Sequence, residues 1–145
     1  MSKSVKLLII ALLCLNSLGF LFKSSIVNVN VSKKRVETGE IFAYKVKIEG
    51  DFSNPKVVMP EFKDFNVASQ KQTKSYAIKK GKARLTLDLT YFLFAYEPGV
   101  FTIQPVTVTE GEKEYKSRSI KIKVIGEPLG KKKKILPYIK EGTKI

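Results

Sequence analysis

The stretch Ala83-Arg84-Leu85-Thr86-Leu87-Asp88-Leu89-Thr90-Tyr91-Phe92-Leu93-Phe94 alternates residue by residue, with Leu85, Leu87, Leu89, Tyr91 and Leu93 on one side and Arg84, Thr86, Asp88 and Thr90 on the other. Successive side chains of an extended chain point to opposite faces, so the pattern is that of a strand with one buried and one wet face. Its length predicts a central strand. Immediately upstream, Lys79-Lys80-Gly81-Lys82 reads as a hairpin tip leading back to a strand over residues 75–78.

The same period recurs outward from this run. Phe42, Tyr44, Val46 and Ile48 share a face while Lys45 and Lys47 take the other, and Val27, Val29 and Val31 alternate with Asn28, Asn30 and Ser32. Both patterns predict strands of an antiparallel sheet with one side in water. Between residues 50 and 67, Gly50-Asp51-Phe52-Ser53-Asn54-Pro55, Met59-Pro60 and Lys63-Asp64 supply turn chemistry, leaving room for one or two short strands, the second around Phe65-Asn66-Val67. Downstream, Pro98-Gly99 turns the chain into a strand over 100–103. Pro105 then marks an edge or a strand switch, because it has no N–H to give to a ladder. Val106 and Val108 resume before the turn at Glu110-Gly111-Glu112, and Tyr115, Ser117, Ile120, Ile122 and Val124 read as a terminal strand.

About seven short strands separated by turns, with no helical period after residue 25, predict an all-β fold. The reading taken is an immunoglobulin-like antiparallel β-sandwich, although a barrel shares the same local pattern. The chain has no tryptophan, so an antibody-type core of Cys, Trp and Cys is absent and the sandwich is held by aliphatic and aromatic packing.

Histidine is also absent, and the one cysteine, Cys14, lies in the apolar N-terminal run. Within one chain this excludes a zinc site, a disulfide framework and a Ser-His-Asp triad. No catalytic, cofactor-binding or metal-ligating residue is singled out, and no enzyme is expected. The carboxylates Glu110, Glu112 and Glu114, and the pair Glu49 and Asp51, lack the spacing of a calcium loop and read as turn and strand-surface groups.

Lys3 and Lys6 precede Leu7-Leu8-Ile9-Ile10-Ala11-Leu12-Leu13-Cys14-Leu15, the charged and apolar regions of a secretory signal. Residues 1–25 are therefore expected to be an N-terminal hydrophobic signal helix, either removed near Gly19 or kept as an anchor. Leu13 before Cys14 stands against a lipoprotein signal. The expected organisation is this segment, a β-domain over 26–125, and a basic, disordered tail over 126–145. That tail holds Lys131, Lys132, Lys133 and Lys134, which form a candidate contact with an anionic surface. With a formal net charge of +14, the chain is drawn to anionic partners through a salt-sensitive field. Tyr76, Lys79, Lys80 and Lys82 come nearest to a nucleic-acid pattern of basic and aromatic residues, but export removes the domain from cytoplasmic nucleic acid and none is expected as a partner.

Three stretches together resemble the extracytoplasmic domain of the BatD family, named for a bacterial aerotolerance operon. They are Val36-Glu37-Thr38-Gly39-Glu40-Ile41-Phe42, then residues 91–105 from Tyr91 through Pro98-Gly99 to Pro105, and Gly111-Glu112-Lys113-Glu114-Tyr115-Lys116-Ser117 with Ile120-Lys121-Ile122-Lys123-Val124. Ala95 stands where the family often has proline, and Gln104 replaces the first proline of a pair. The resemblance spans residues 26–125 and implies a shortened, single-domain member: a non-enzymatic, membrane-associated periplasmic partner of von Willebrand factor A-type proteins, encoded near a MoxR-type ATPase. The alternative is a basic envelope-binding or adhesion module that contacts anionic lipids or acidic polymers.

Overall fold

The computed structural model describes residues 26–130. Residues 1–25, expected to be a signal, and Lys131 to Lys134 lie outside them. The described chain forms ten strands: β1 (Val27–Val31), β2 (Arg35–Glu37), β3 (Phe42–Gly50), β4 (Lys56–Val58), β5 (Asn66–Lys79), β6 (Lys82–Phe94), β7 (Gly99–Ile103), β8 (Thr107–Glu110), β9 (Lys113–Lys116) and β10 (Ile120–Ile125). No helix occurs among the described residues.

One layer is a four-stranded antiparallel sheet in the order β1-β3-β6-β5. The run that decides the fold becomes β6, paired on both sides, with Leu85, Leu87, Leu89 and Leu93 buried. Facing it are two three-stranded sheets, β2-β10-β7 and β4-β8-β9. They are halves of one layer. Ile103 pairs with Ile120 on one side of a break and Thr107 with Lys116 on the other, so the register runs on unchanged and sets Pro105 opposite Arg118.

Counting β7 with β8 and β9 with β10 as interrupted single strands brings the ladder close to the expected number. The terminal strand read as continuous is divided at residues 117–119, and the switch expected at Pro105 sits between β7 and β8. The added piece is β2, which runs parallel to β10 and is the one departure from antiparallel pairing among the described strands. At three residues it is too short to show a period.

Both layers contribute to one core: Val27, Phe42, Tyr44, Ile48, Leu85 and Leu93 from the first, and Val36, Ile103, Val108 and Ile122 from the second. Burying each such side chain is worth roughly 1.5–3 kcal/mol, which stands in for the missing disulfide and tryptophan. Edge-to-face ring pairs, Phe42 with Phe65 at 5.4 Å and Tyr44 with Phe62 at 5.7 Å, pack the 59–65 segment against the β3 face.

The largest difference from the sequence pattern is β5. Short strands are expected near Phe65-Asn66-Val67 and over 75–78, whereas the chain forms a single 14-residue strand, irregular only between Val67 and Ser69. All of its residues are exposed. A strand wet on both faces needs no alternation, and Ala68-Ser69-Gln70-Lys71-Gln72-Thr73-Lys74 has none. Its pairing with β6 makes it a strand.

Candidate interaction surface

The residues that match the family pattern are occupied in holding backbone. Gly39, at φ 79°, donates its N–H to the Ala95 carbonyl at 2.8 Å, and Thr38 donates its N–H to Ile125 and its hydroxyl to the Glu127 carbonyl. Glu40 is buried. Its carboxylate accepts the Glu37 N–H at 2.9 Å through one oxygen and Lys33 Nζ at 2.8 Å through the other. The turn between β2 and β3 is thereby tied to the ends of β6 and β10. Ala95 at the proline position of the pattern fits this role, since what the turn requires of it is a buried backbone carbonyl and a small side chain. Gln104, the other departure, is exposed at the strand switch.

Ser117 does the same at the break in the second layer. Its hydroxyl accepts the Val106 N–H at 2.9 Å and donates to the Arg118 carbonyl, while its own N–H donates to the Val106 carbonyl. Beyond β10 the backbone is tied to the sandwich as far as Leu129, whose N–H donates to the Tyr96 carbonyl at 2.8 Å.

Three of the five carboxylates noted in the sequence have local partners. Glu110 accepts the N–H groups of Ser53 and Asn54, Glu114 pairs with Lys116, and Glu49 lies 3.4 Å from Lys47 and 3.5 Å from Arg84. Among the described residues no group of three or more acidic side chains is placed to hold a metal ion. An open groove of ≈ 500 Å³ runs beside Lys63, Asp64, Asn66, Tyr96, Glu97 and Phe101. Its charged groups are exposed, so it presents no desolvated acid or base.

What stands out is the hairpin of β5 and β6. Lys79 pairs with Lys82 across a two-residue turn in which Lys80 and Gly81 both have positive φ, 52° and 76°. This is the turn geometry that matches strand twist. β3 reaches only as far as Gly50 opposite Leu85, so residues 77–84 project as a two-stranded finger. On its other side β5 has no hydrogen-bonded neighbour among the described residues.

Side-chain placement follows from the register. Gln72, Lys74 and Tyr76 stand opposite Leu89, Leu87 and Leu85 and share the core-side face, with Ile78 opposite Ala83. That face runs past the second layer, leaving Tyr76 59% and Ile78 80% exposed. Lys74 Nζ lies 5.2 Å from the Tyr76 ring centroid, within cation–π range. Lys71, Ser75 and Lys79 take the opposite face with Thr90, Thr86 and Lys82.

The structure thus places Tyr76, Lys79, Lys80 and Lys82 on one hairpin, with Lys79 to Lys82 at the tip that the sequence predicts. It adds the length of β5, for which the one available signal is a polar, turn-free stretch leading into an NG-like hairpin tip. The other candidate contact, Lys131 to Lys134, lies outside the described residues.

Compared with known proteins, the chain matches the family model described as BatD DUF11 like domain over residues 29–124. No curated protein matches it.

Proposed function

The chain belongs to the BatD family, and from that premise we propose that it works as an exported, non-enzymatic protein-interaction module at the outer face of the cytoplasmic membrane, with von Willebrand factor A-type proteins as its partners. BatD domains are extracytoplasmic and immunoglobulin-like. The observation that carries the proposal is where the matching residues work. Thr38, Gly39, Glu40 and Ser117 are engaged in backbone hydrogen bonds within the sandwich, while the outer edge of β5 pairs with no strand among the described residues. A rigid sandwich that offers an edge acts by contact.

The alternative, a basic module that holds anionic lipids or acidic polymers, is favoured by the net charge of +14 and by the lysines of the hairpin. A crosslinked pull-down from membranes with the full-length chain, washed at low and at high salt, separates the two. Recovery of a von Willebrand factor A-type protein at both salts supports the protein partner. Recovery of lipid or polyanion alone, lost at high salt, supports the charge-driven surface instead.

A further inference from the structure

We propose that the free edge of β5, from Ser69 to Ile78, is the docking site for a partner strand that alternates acidic and apolar residues, added to the sheet beside β5. The inference rests on the reading of the chain as a protein-interaction module and names the surface and chemistry of the contact.

The backbone geometry supplies the first half of the argument. Lys79 and Lys82 close a two-residue hairpin, so the N–H and C=O of Lys79 face β6. Backbone groups of an antiparallel strand alternate sides residue by residue. Those of Gln70, Gln72, Lys74, Tyr76 and Ile78 therefore face outward, where β5 has no strand beside it among the described residues. The other edge of this sheet, β1, is five residues long, and Arg118 Nη2 already donates to the Val29 carbonyl there at 3.3 Å. Exposed edges of such length are normally blunted, because they recruit strands.

Side chains supply the second half. A strand laid beside β5 would put alternate residues over Tyr76 and Ile78 on one face, where covering apolar surface is favourable, and over Lys71 and Lys79 on the other. The occupant is fixed by charge. Lys71, Lys74, Lys79, Lys80, Lys82 and Arg84 crowd the hairpin, and Asp88 is the one carboxylate on either of its strands. A second copy of this chain would set lysine against lysine, which is unfavourable across a strand pair. The flanking segments of the chain fail on the same ground: residues 1–25 contain no Asp or Glu, and residues 131–145 contain six lysines and one glutamate. Lysine on an edge therefore acts as a selector, turning away like chains and admitting an acidic one.

The test uses the full-length chain and a synthetic peptide of roughly ten residues that alternates Val and Glu, with a Val and Lys peptide as its control. Fluorescence anisotropy should show saturable binding of the acidic peptide and none of the basic one. Hydrogen exchange should show protection at Gln70, Gln72, Lys74, Tyr76 and Ile78 in the complex. Gln72→Pro removes an outward N–H without touching the ladder to β6, and it should weaken the peptide by roughly tenfold or more with unchanged thermal unfolding. Should that variant unfold, the double change Lys71→Glu with Lys79→Glu should shift preference towards the basic peptide. Equal binding of both peptides, undiminished binding by a folded Gln72→Pro chain, or protection only on anionic vesicles would overturn the proposal.

The two readings fail separately. Recovery of the membrane partner with Gln72→Pro as with the parent chain defeats the β5 edge and keeps the partnership. Peptide binding at β5 without recovery of a von Willebrand factor A-type protein does the reverse.

Discussion

The Ser117 hydroxyl accepts the buried N–H of Val106 at 2.9 Å and so bridges the break that Pro105 makes in the second layer. Proline takes one donor from the ladder, and the serine side chain stands in where the backbone partner is displaced. Ser117→Ala leaves the Val106 N–H buried without this partner and should cost about 1–3 kcal/mol. Chemical denaturation checks it, with a lower midpoint and an unchanged slope expected; the bond lies between the β7–β10 and β8–β9 ladders, so amide exchange should rise first on both sides of the break.

Glu40 and Lys33 give a second expectation. The carboxylate is buried and holds both Lys33 Nζ and the Glu37 N–H, so Glu40→Ala strands a charge and a donor at once. A loss of about 2–4 kcal/mol is expected from equilibrium unfolding. Lys33→Ala should also destabilise, because it leaves the buried Glu40 carboxylate without its countercharge, although the Glu37 bond survives. Gly39→Ala, which forces a side chain onto φ 79°, should destabilise by about 1–2 kcal/mol.

Tyr44 gives a third expectation, through its titration. Burial, and secondarily the charge of Tyr91, pushes its phenol up to about 12 from 10.0. A folded-state value above the unfolded one favours the neutral phenol in the fold, so the contribution is fully present below pH 10 and is lost as pH rises towards 12. The Tyr44 hydroxyl is also buried with no hydrogen-bond partner among the described residues. Tyr44→Phe should therefore be more stable at neutral pH by about 1 kcal/mol. It should also lack the alkaline loss: thermal midpoints of the two proteins should diverge across pH 10–12, with the parent falling faster.

Much of the fold was legible in the sequence because half-buried strands announce themselves. β1, and most of β3 and β6, carry an apolar alternation that the structure turns into a buried face. The turns at Lys80-Gly81 and Gly111 were legible through residues suited to positive φ. β2 was hidden by its length, and β5 by exposure on both faces, so hydrophobic pattern carried no information about either. The interaction surface was half visible. The basic tip of the hairpin could be read from Lys79, Lys80 and Lys82, whereas the free edge exists only through pairing of β5 with β6 and the absence of a strand beyond it among the described residues.

The central claim, that this chain acts by contact with a von Willebrand factor A-type protein, is tested most directly by isothermal titration of the full-length chain with the purified partner domain recovered from membranes, at low and at high salt. The account predicts saturable binding at a fixed stoichiometry that persists, with reduced affinity, as the lysine field is screened. Heat that vanishes at high salt, or binding only when anionic vesicles are present, would contradict it.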